Sequence, residues 1–301
     1  MNQRAVKVIR RRSHPLERLR NLVAYKDLLR NSIAKELKVR YRSSFLGFVW
    51  SMLNPILYLA IFSLVFSVFM DAGIPNFPIY LLAGLLPWNL FSMSMSSATV
   101  SIVNSGSLVT KVYFPREILP LSSIGGALIH FVLQFGVLLA VLTIFRYPID
   151  WAALPLVPMA LFVELMVLVG ACLLLSAFNV YLRDIQHLLE LLLLAWFWMT
   201  PIVYPVALVH DKLSGSGDLG RWALSVYLAN PMTAVVLGFQ RGLYGKVHAS
   251  TPDGQLRRIL IDAPISWYAW RLGLIAAGAV VLIAVAWMAF SRLEENFAEE
   301  I

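Results

Sequence analysis

Six stretches of mostly apolar residues organise this chain, at about 46–70, 78–102, 118–145, 155–181, 186–208 and 267–290. Each reaches the roughly 20 residues that a helix needs to cross the hydrocarbon of a bilayer. Over 301 residues, 59% are hydrophobic and only 14% charged. An ordinary soluble domain carries about 25% charged residues and is excluded. The expected fold is an all-α membrane protein with six transmembrane helices. The single cysteine, Cys172, lies in an apolar run, which excludes a disulfide framework or Cys-rich metal site and makes it buried filler.

The net charge of +8 is unevenly placed. Residues 1–45 hold 13 Lys/Arg and 3 Asp/Glu, a net +10, so the remainder sums to −2. That distribution argues against nucleic acid and for a basic cytoplasmic leader. Residues 1–20 lack the apolar core and cleavage site of a secretory signal, so the leader is expected to be retained, on the cytoplasmic side. Six spans then bring both termini to the cytoplasm. On that orientation 17 Lys/Arg fall inside, thirteen in the leader plus Lys111, Arg116, Arg183 and Arg292, against 8 outside or at the outer edge.

Within 209–266, Trp222–Tyr244 is apolar enough to suggest a seventh span. Asn230-Pro231 cuts it into pieces of roughly 8 and 13 residues, each too short to cross. Two short helices that dip into the outer leaflet and return are expected instead. A seventh span would put the acidic stretch Glu294–Ile301 outside, against the charge bias. Ahead of the first span, Leu16–Arg42 carries Leu19, Leu22, Val23, Leu29, Ile33 and Leu37 with basic residues between them. This is an amphipathic helix suited to the interfacial plane, or a solvated basic lead-in that binds anionic lipid alone.

Several chemistries are missing. Gly106-Ser-Leu-Val-Thr-Lys111 has a lysine but lacks the second glycine of a phosphate loop, so the chain cannot hydrolyse ATP alone. There is no H-E-x-x-H, no G-x-S-x-G and no pair of catalytic carboxylates on a shared loop. His14, His130, His187, His210 and His248 are scattered without ligand spacing, so no metal site is expected. Glu164 in the fourth span and Glu190 in the fifth are candidates because charge inside a membrane is expensive. Glu190 lies about two turns from Arg183-Asp184 and fits the cytoplasmic interface equally well. His130 and Gln134 are four apart and suit an interhelical hydrogen bond.

Tyr58, Phe62, Phe66 and Phe69 recur at spacings of 4, 4 and 3, one turn beyond Asn54, giving the first span a face of rings. Trp196, Thr200 and Tyr204 repeat the pattern in the fifth. Such faces offer a surface on which sugar rings slide, and they serve equally for packing against helices or lipid. The loop Asn104–Pro120 carries Lys111, Phe114-Pro115-Arg116-Glu117 and Pro120, a proline-bracketed knob suited to docking a partner protein.

Lys38-Val-Arg-Tyr-Arg-Ser-Ser-Phe-Leu-Gly-Phe-Val-Trp-Ser51 with Asn54-Pro55, Lys111-Val-Tyr-Phe-Pro-Arg-Glu-Ile-Leu-Pro120, Asn179-Val-Tyr-Leu-Arg-Asp-Ile185, Thr200-Pro-Ile-Val-Tyr204 and Asn230-Pro231 follow in order along the chain. Together they resemble the membrane subunits of ABC-2 type polysaccharide exporters, which include O-antigen, capsule and teichoic acid permeases. The resemblance implies a bacterial plasma-membrane permease, 1–45 as cytoplasmic leader and 46–301 as the transmembrane domain. It implies a homodimer, two partner ATPase subunits that carry ATP and Mg, and a lipid-linked glycan as cargo. It assigns 104–120 to ATPase coupling through Lys111, Phe114, Arg116 and Glu117, and 209–266 to an outer gate. A polyprenyl diphosphate carrier would meet Lys38, Arg40 and Arg42 at the entrance, although positive-inside anchoring explains these three equally. Rival readings are an ABC-2 exporter of a small amphiphile or drug, a proton-coupled carrier, and a membrane-embedded glycosyltransferase or acyltransferase using Glu164, Asp184 and Glu190.

Overall fold

The computed structural model describes residues 24–40, 74–215, 217–250 and 256–301, with isolated positions between 53 and 65. Most of the expected first span, with Asn54, Tyr58, Phe62, Phe66 and Phe69, lies outside the described residues, as does Arg42. The described chain is helical apart from one small hairpin.

Helix α1 (Lys26–Arg40) has its half-buried residues at Leu28, Leu29, Ser32, Ile33, Glu36 and Leu37, one face that includes the apolar positions Leu29, Ile33 and Leu37 read from sequence. Helix α2 (Phe77–Asn104) opens on Asn76, whose left-handed backbone (φ 53°) turns the chain into the helix. A short α3 (Gly106–Lys111) and an extended turn lead to α4 (Ile118–Ile144). Helix α5 (Leu156–Tyr181) returns and α6 (Ile185–Trp198) starts back. Then come α7 (Val206–Ser214), α8 (Gly217–Ala229) and α9 (Pro231–Phe239), whose last turn widens into a π-helix over Gln240–Tyr244. Strands β1 (His248–Ser250) and β2 (Leu256–Arg258) pair antiparallel, with His248 opposite Arg258. Helix α10 (Ile265–Leu293) crosses once more and ends in a 3-10 turn and α11 (Phe297–Glu300).

Among the described residues four helices, α2, α4, α5 and α10, are long and apolar enough to cross a membrane, and α8 with α9 makes a fifth if that bent pair is one span. Helix α2 is the centre of the bundle: 72% of its apolar window is buried, against 17% for α10. The outward faces of α4, α6 and α10 expose Val132, Leu191 and Val281, side chains that a bilayer tolerates where water would not. Close approach is set by small residues. A Cβ on Gly170 of α5 would lie 2.7 Å from Leu282 Cγ and 3.2 Å from the Ile283 backbone nitrogen of α10. A Cβ on Gly125 of α4 would lie 2.5 Å from Ile33 Cδ1, so α1 rests directly on α4.

The expected fifth stretch, 186–208, is not one helix. Helix α6 has 14 residues, about 21 Å at 1.5 Å per residue, and stops before Thr200-Pro201. Proline at 201 cannot donate its N–H to a continuing helix, and Pro205 then starts α7 in a new direction. The expected break at Asn230-Pro231 is present, with α8 and the α9 segment bent by 71°.

Candidate functional site

Two constellations stand out, one at each end of the bundle. At the first, helices α2 and α5 end, α4 begins, and the loop 105–117 joins them. A second apolar cluster forms here around Ile102, Val109, Phe114, Ile118, Leu173, Phe290 and Phe297. Phe114 is an anchor, only 6% exposed, and Glu117 is buried at 4%. Arg116 turns across the loop: its Nη1 donates to the Glu294 carbonyl at 2.5 Å and its Cζ lies 5.7 Å from the Phe297 ring centroid. What the loop presents to the outside is Lys111, Val112 and Tyr113, with Tyr113 89% exposed. An aromatic ring held out on a base of buried side chains is the form that a protein-docking anchor takes. Of the residues expected to be exposed for docking, Phe114 and Glu117 are buried instead, and the exposed ring is Tyr113, inside the same Lys111–Pro120 stretch. A tyrosine beside phenylalanine gives no sign of which ring points inward.

The second constellation joins the two proline breaks. Asn230 Oδ1 accepts from the backbone N–H of Met232 at 3.0 Å, capping α9, and from Trp196 Nε1 at 2.8 Å. Its Nδ2 donates to Thr200 Oγ1 at 3.4 Å. Trp196 packs edge-on against Phe91 of α2, with centroids 5.1 Å apart. One carboxamide thus fastens the bend of the α8–α9 pair to the end of α6. A turn further, the Tyr204 hydroxyl donates to the Trp198 carbonyl at 2.8 Å and meets the Tyr227 hydroxyl at 3.3 Å. Tyr80 donates to the Tyr204 carbonyl at 2.7 Å, and Gln240 Nε2 donates to the Pro201 carbonyl at 2.9 Å. The Pro201 carbonyl, left without a helical partner by Pro205, and the Tyr204 carbonyl beside it are therefore taken up by side chains of the π-segment and α2. Trp196, Thr200 and Tyr204 do not form the single helix face that their spacing suggested, because α6 ends at Trp198; Trp196 and Thr200 instead meet Asn230, and Tyr204 meets Tyr227. Tyr80, Tyr227 and Gln240 carried no sequence signal.

Beyond this constellation the same end is closed by polar ties. Arg241 pairs with Asp150 at 2.9 Å, and Tyr147 donates to the Tyr244 carbonyl at 2.9 Å. Burial raises the Tyr147 phenol above its ordinary range, so the ring works as a neutral donor. Arg258 bonds Asp211, joining β2 to α7.

The remaining sequence candidates scatter. Glu164 is fully buried on α5, and among the described residues neither carboxylate oxygen has a hydrogen-bond partner. Glu190 is exposed on α6, and Asp184 is exposed ahead of that helix, so the three acids share no pocket. His130 is buried and Gln134 half-buried, one turn apart on α4. Lys38 is exposed on α1, and Arg40 closes that helix. Among the described residues no group of three or more His, Cys, Asp or Glu is placed to hold a metal.

Residues 28–244 match the family model of the ABC-2 type transporter. The chain is 34% identical over 284 residues to the O-antigen export system permease protein RfbA of Myxococcus xanthus, covering 94% of this chain and 98% of that one. It is 26% identical over 276 residues to RfbA of Klebsiella pneumoniae, covering 91% and 94%. The polysialic acid transport protein KpsM of Escherichia coli is 33% identical over 73 residues, 24% of this chain and 28% of that one. The matched region takes in the coupling-loop candidate, both proline breaks and Asn230, and on these matches the chain belongs to the ABC-2 type transporter family.

Proposed function

We propose that this chain is the transmembrane subunit of an ATP-driven exporter that moves a lipid-linked polysaccharide from the cytoplasmic to the outer face of the bacterial plasma membrane. The observation that carries the reading is the near full-length similarity to an O-antigen export permease. The exposed Val112-Tyr113 knob on its buried base agrees with it. A permease without a phosphate loop needs a separate ATPase, and this knob is where such a subunit docks, with Lys111, Phe114, Arg116 and Glu117 forming and bracing the contact. ATP and Mg reside on that partner.

The rest of the arrangement follows. Six spans, the first within 46–70, place residues 1–45 and 294–301 on the cytoplasmic side, with α1 lying at the interface. The α8–α9 segment is a re-entrant pair of the outer gate. Its two flanks meet at one end of the bundle: Ala207 donates to the Ile259 carbonyl after α6, and Tyr244 donates to the Pro75 carbonyl ahead of α2. Two copies enclose the path, since six helices scarcely surround a glycan-wide pore. Tyr58, Phe62, Phe66 and Phe69 line it, joined by the uncovered faces of Trp196 and Tyr204. Lys38, Arg40 and Arg42 receive the diphosphate of the lipid carrier at the entrance.

The test is reconstitution of the chain with its ATPase in vesicles loaded with lipid-linked O-polysaccharide on the ATPase side. Addition of ATP should move the glycan to the opposite face, where lectin binds it. Lectin binding that does not rise with ATP, or that rises equally without the ATPase, would refute the reading.

A further inference from the structure

Helix α3 has six residues, far below the length at which an isolated helix holds itself in water. Its shape, and the pose of Tyr113 beyond it, must come from what it rests on. On one side that is the core of α2 and α5, through Val109. On the other it is the segment Glu294–Ile301. Phe297 is fully buried, its ring 5.5 Å from Phe290 and 6.2 Å from Tyr181. The Tyr181 hydroxyl donates to the Leu293 carbonyl at 2.7 Å, fixing where the segment leaves α10. Arg116 reaches the same segment twice, through the Glu294 carbonyl and the Phe297 ring. Ile301 closes over α3: a Cβ built on Gly106 would lie 2.5 Å from Ile301 Cγ2 and 4.0 Å from Ile301 Cβ.

We infer that Glu294–Ile301 is a fixed brace under the docking loop, in which Phe297 and Arg116 are positioning residues that preset Val112-Tyr113 for the ATPase subunit. The inference rests on the reading of that loop as the docking surface. A loop already in its bound shape loses less freedom on docking, so removing the brace should weaken association without touching the contact itself. Sequence offers no hint of this, because an acidic run after the last span has the composition of a solvated end.

The experiment measures the affinity of the ATPase subunit for the full-length chain in lipid nanodiscs. Phe297→Ala should weaken it by about tenfold, the scale of a lost preorganised loop, while Phe297→Leu, which refills most of the space, should stay within about threefold of the parent. Tyr113→Ala removes the contact but leaves the brace, and should weaken binding at least as much. If Phe297→Ala is not recovered from membranes, Ile301→Ala takes its place, with a loss of about threefold. The Cβ separation at Gly106 and Ile301 lies within the 3.5–4.5 Å span of a disulfide. Gly106→Cys with Ile301→Cys in a Cys172→Ser background therefore locks the brace on oxidation, and the locked protein should bind the ATPase as tightly as the parent.

Parent-like binding by Phe297→Ala, or by Ile301→Ala where that stands in, together with weak binding by Tyr113→Ala, overturns the brace and leaves the docking loop standing. Parent-like binding by all of them removes the docking loop as well. Weak binding by the oxidised pair that recovers on reduction means the segment must leave the loop to allow docking, and that also overturns a fixed brace.

Discussion

Asn230 offers a quantitative test of how the two proline breaks are joined. Its Oδ1 accepts from Met232 N–H at 3.0 Å and from the Trp196 indole at 2.8 Å, and its Nδ2 reaches Thr200 at 3.4 Å. Alanine at 230 removes the N-cap of α9, worth about 1 kcal/mol. It also leaves the half-buried indole N–H without its partner, worth about 1 kcal/mol more. The total is about 2 kcal/mol, with the longer Thr200 contact adding little. Trp196→Phe keeps the edge-on packing against Phe91 and removes the hydrogen bond alone, so it should cost about 0.6–1 kcal/mol, the range of such bonds in membrane proteins. Because both substitutions delete the same bond, the double variant should fall short of the sum by about 0.6–1 kcal/mol. The assay is reversible unfolding of the purified chain in mixed detergent, read by tryptophan fluorescence for the Trp196-containing pair and by circular dichroism for all four proteins. Additivity within about 0.3 kcal/mol would mean the two side chains do not share a bond, and the link between α6 and the α8–α9 pair would be refuted.

Gly170→Ala should destabilise the chain by about 1–3 kcal/mol, because the added methyl meets the Leu282 side chain at 2.7 Å and the Ile283 backbone nitrogen of α10 at 3.2 Å, which limits how far Leu282 can give; an unchanged unfolding midpoint would contradict that packing. A cysteine at Asp253 should react with an impermeant maleimide from outside intact cells and one at Glu299 only from inside, and labelling of Glu299→Cys from outside would make the α8–α9 pair a span. Alanine at two of Tyr58, Phe62, Phe66 and Phe69 should slow export of long glycans at near-normal abundance. Loss of folded protein instead, as when buried rings worth about 3–5 kcal/mol are cut from a core, would assign these rings to packing.

The bilayer makes much of this chain legible without coordinates. Runs such as 118–145, 155–181 and 267–290 match helices α4, α5 and α10 to within two or three residues, because hydrocarbon thickness fixes their length and backbone hydrogen bonding leaves helix as the only solution. Proline gives the break at Asn230 for an equally local reason. The stretch 186–208 shows where that reasoning stops: its composition is as apolar as a span, yet the geometry at Pro201 and Pro205 ends α6 early, and only side chains distant in sequence make that ending tolerable.

The sequence by itself determined the class of the protein, its central helices, the kink at Asn230-Pro231 and its family motifs, since each follows from transfer of side chains into lipid or from a local backbone constraint. The tertiary structure alone decided which residues of those motifs meet. Tyr113 points out while Phe114 points in, Asn230 bonds Trp196 across 34 positions, and Phe297 is buried within a run that reads as solvated. The physical reason is that burial and hydrogen bonding at these places depend on pairs far apart in the chain, and no local pattern of hydropathy or charge encodes the partner.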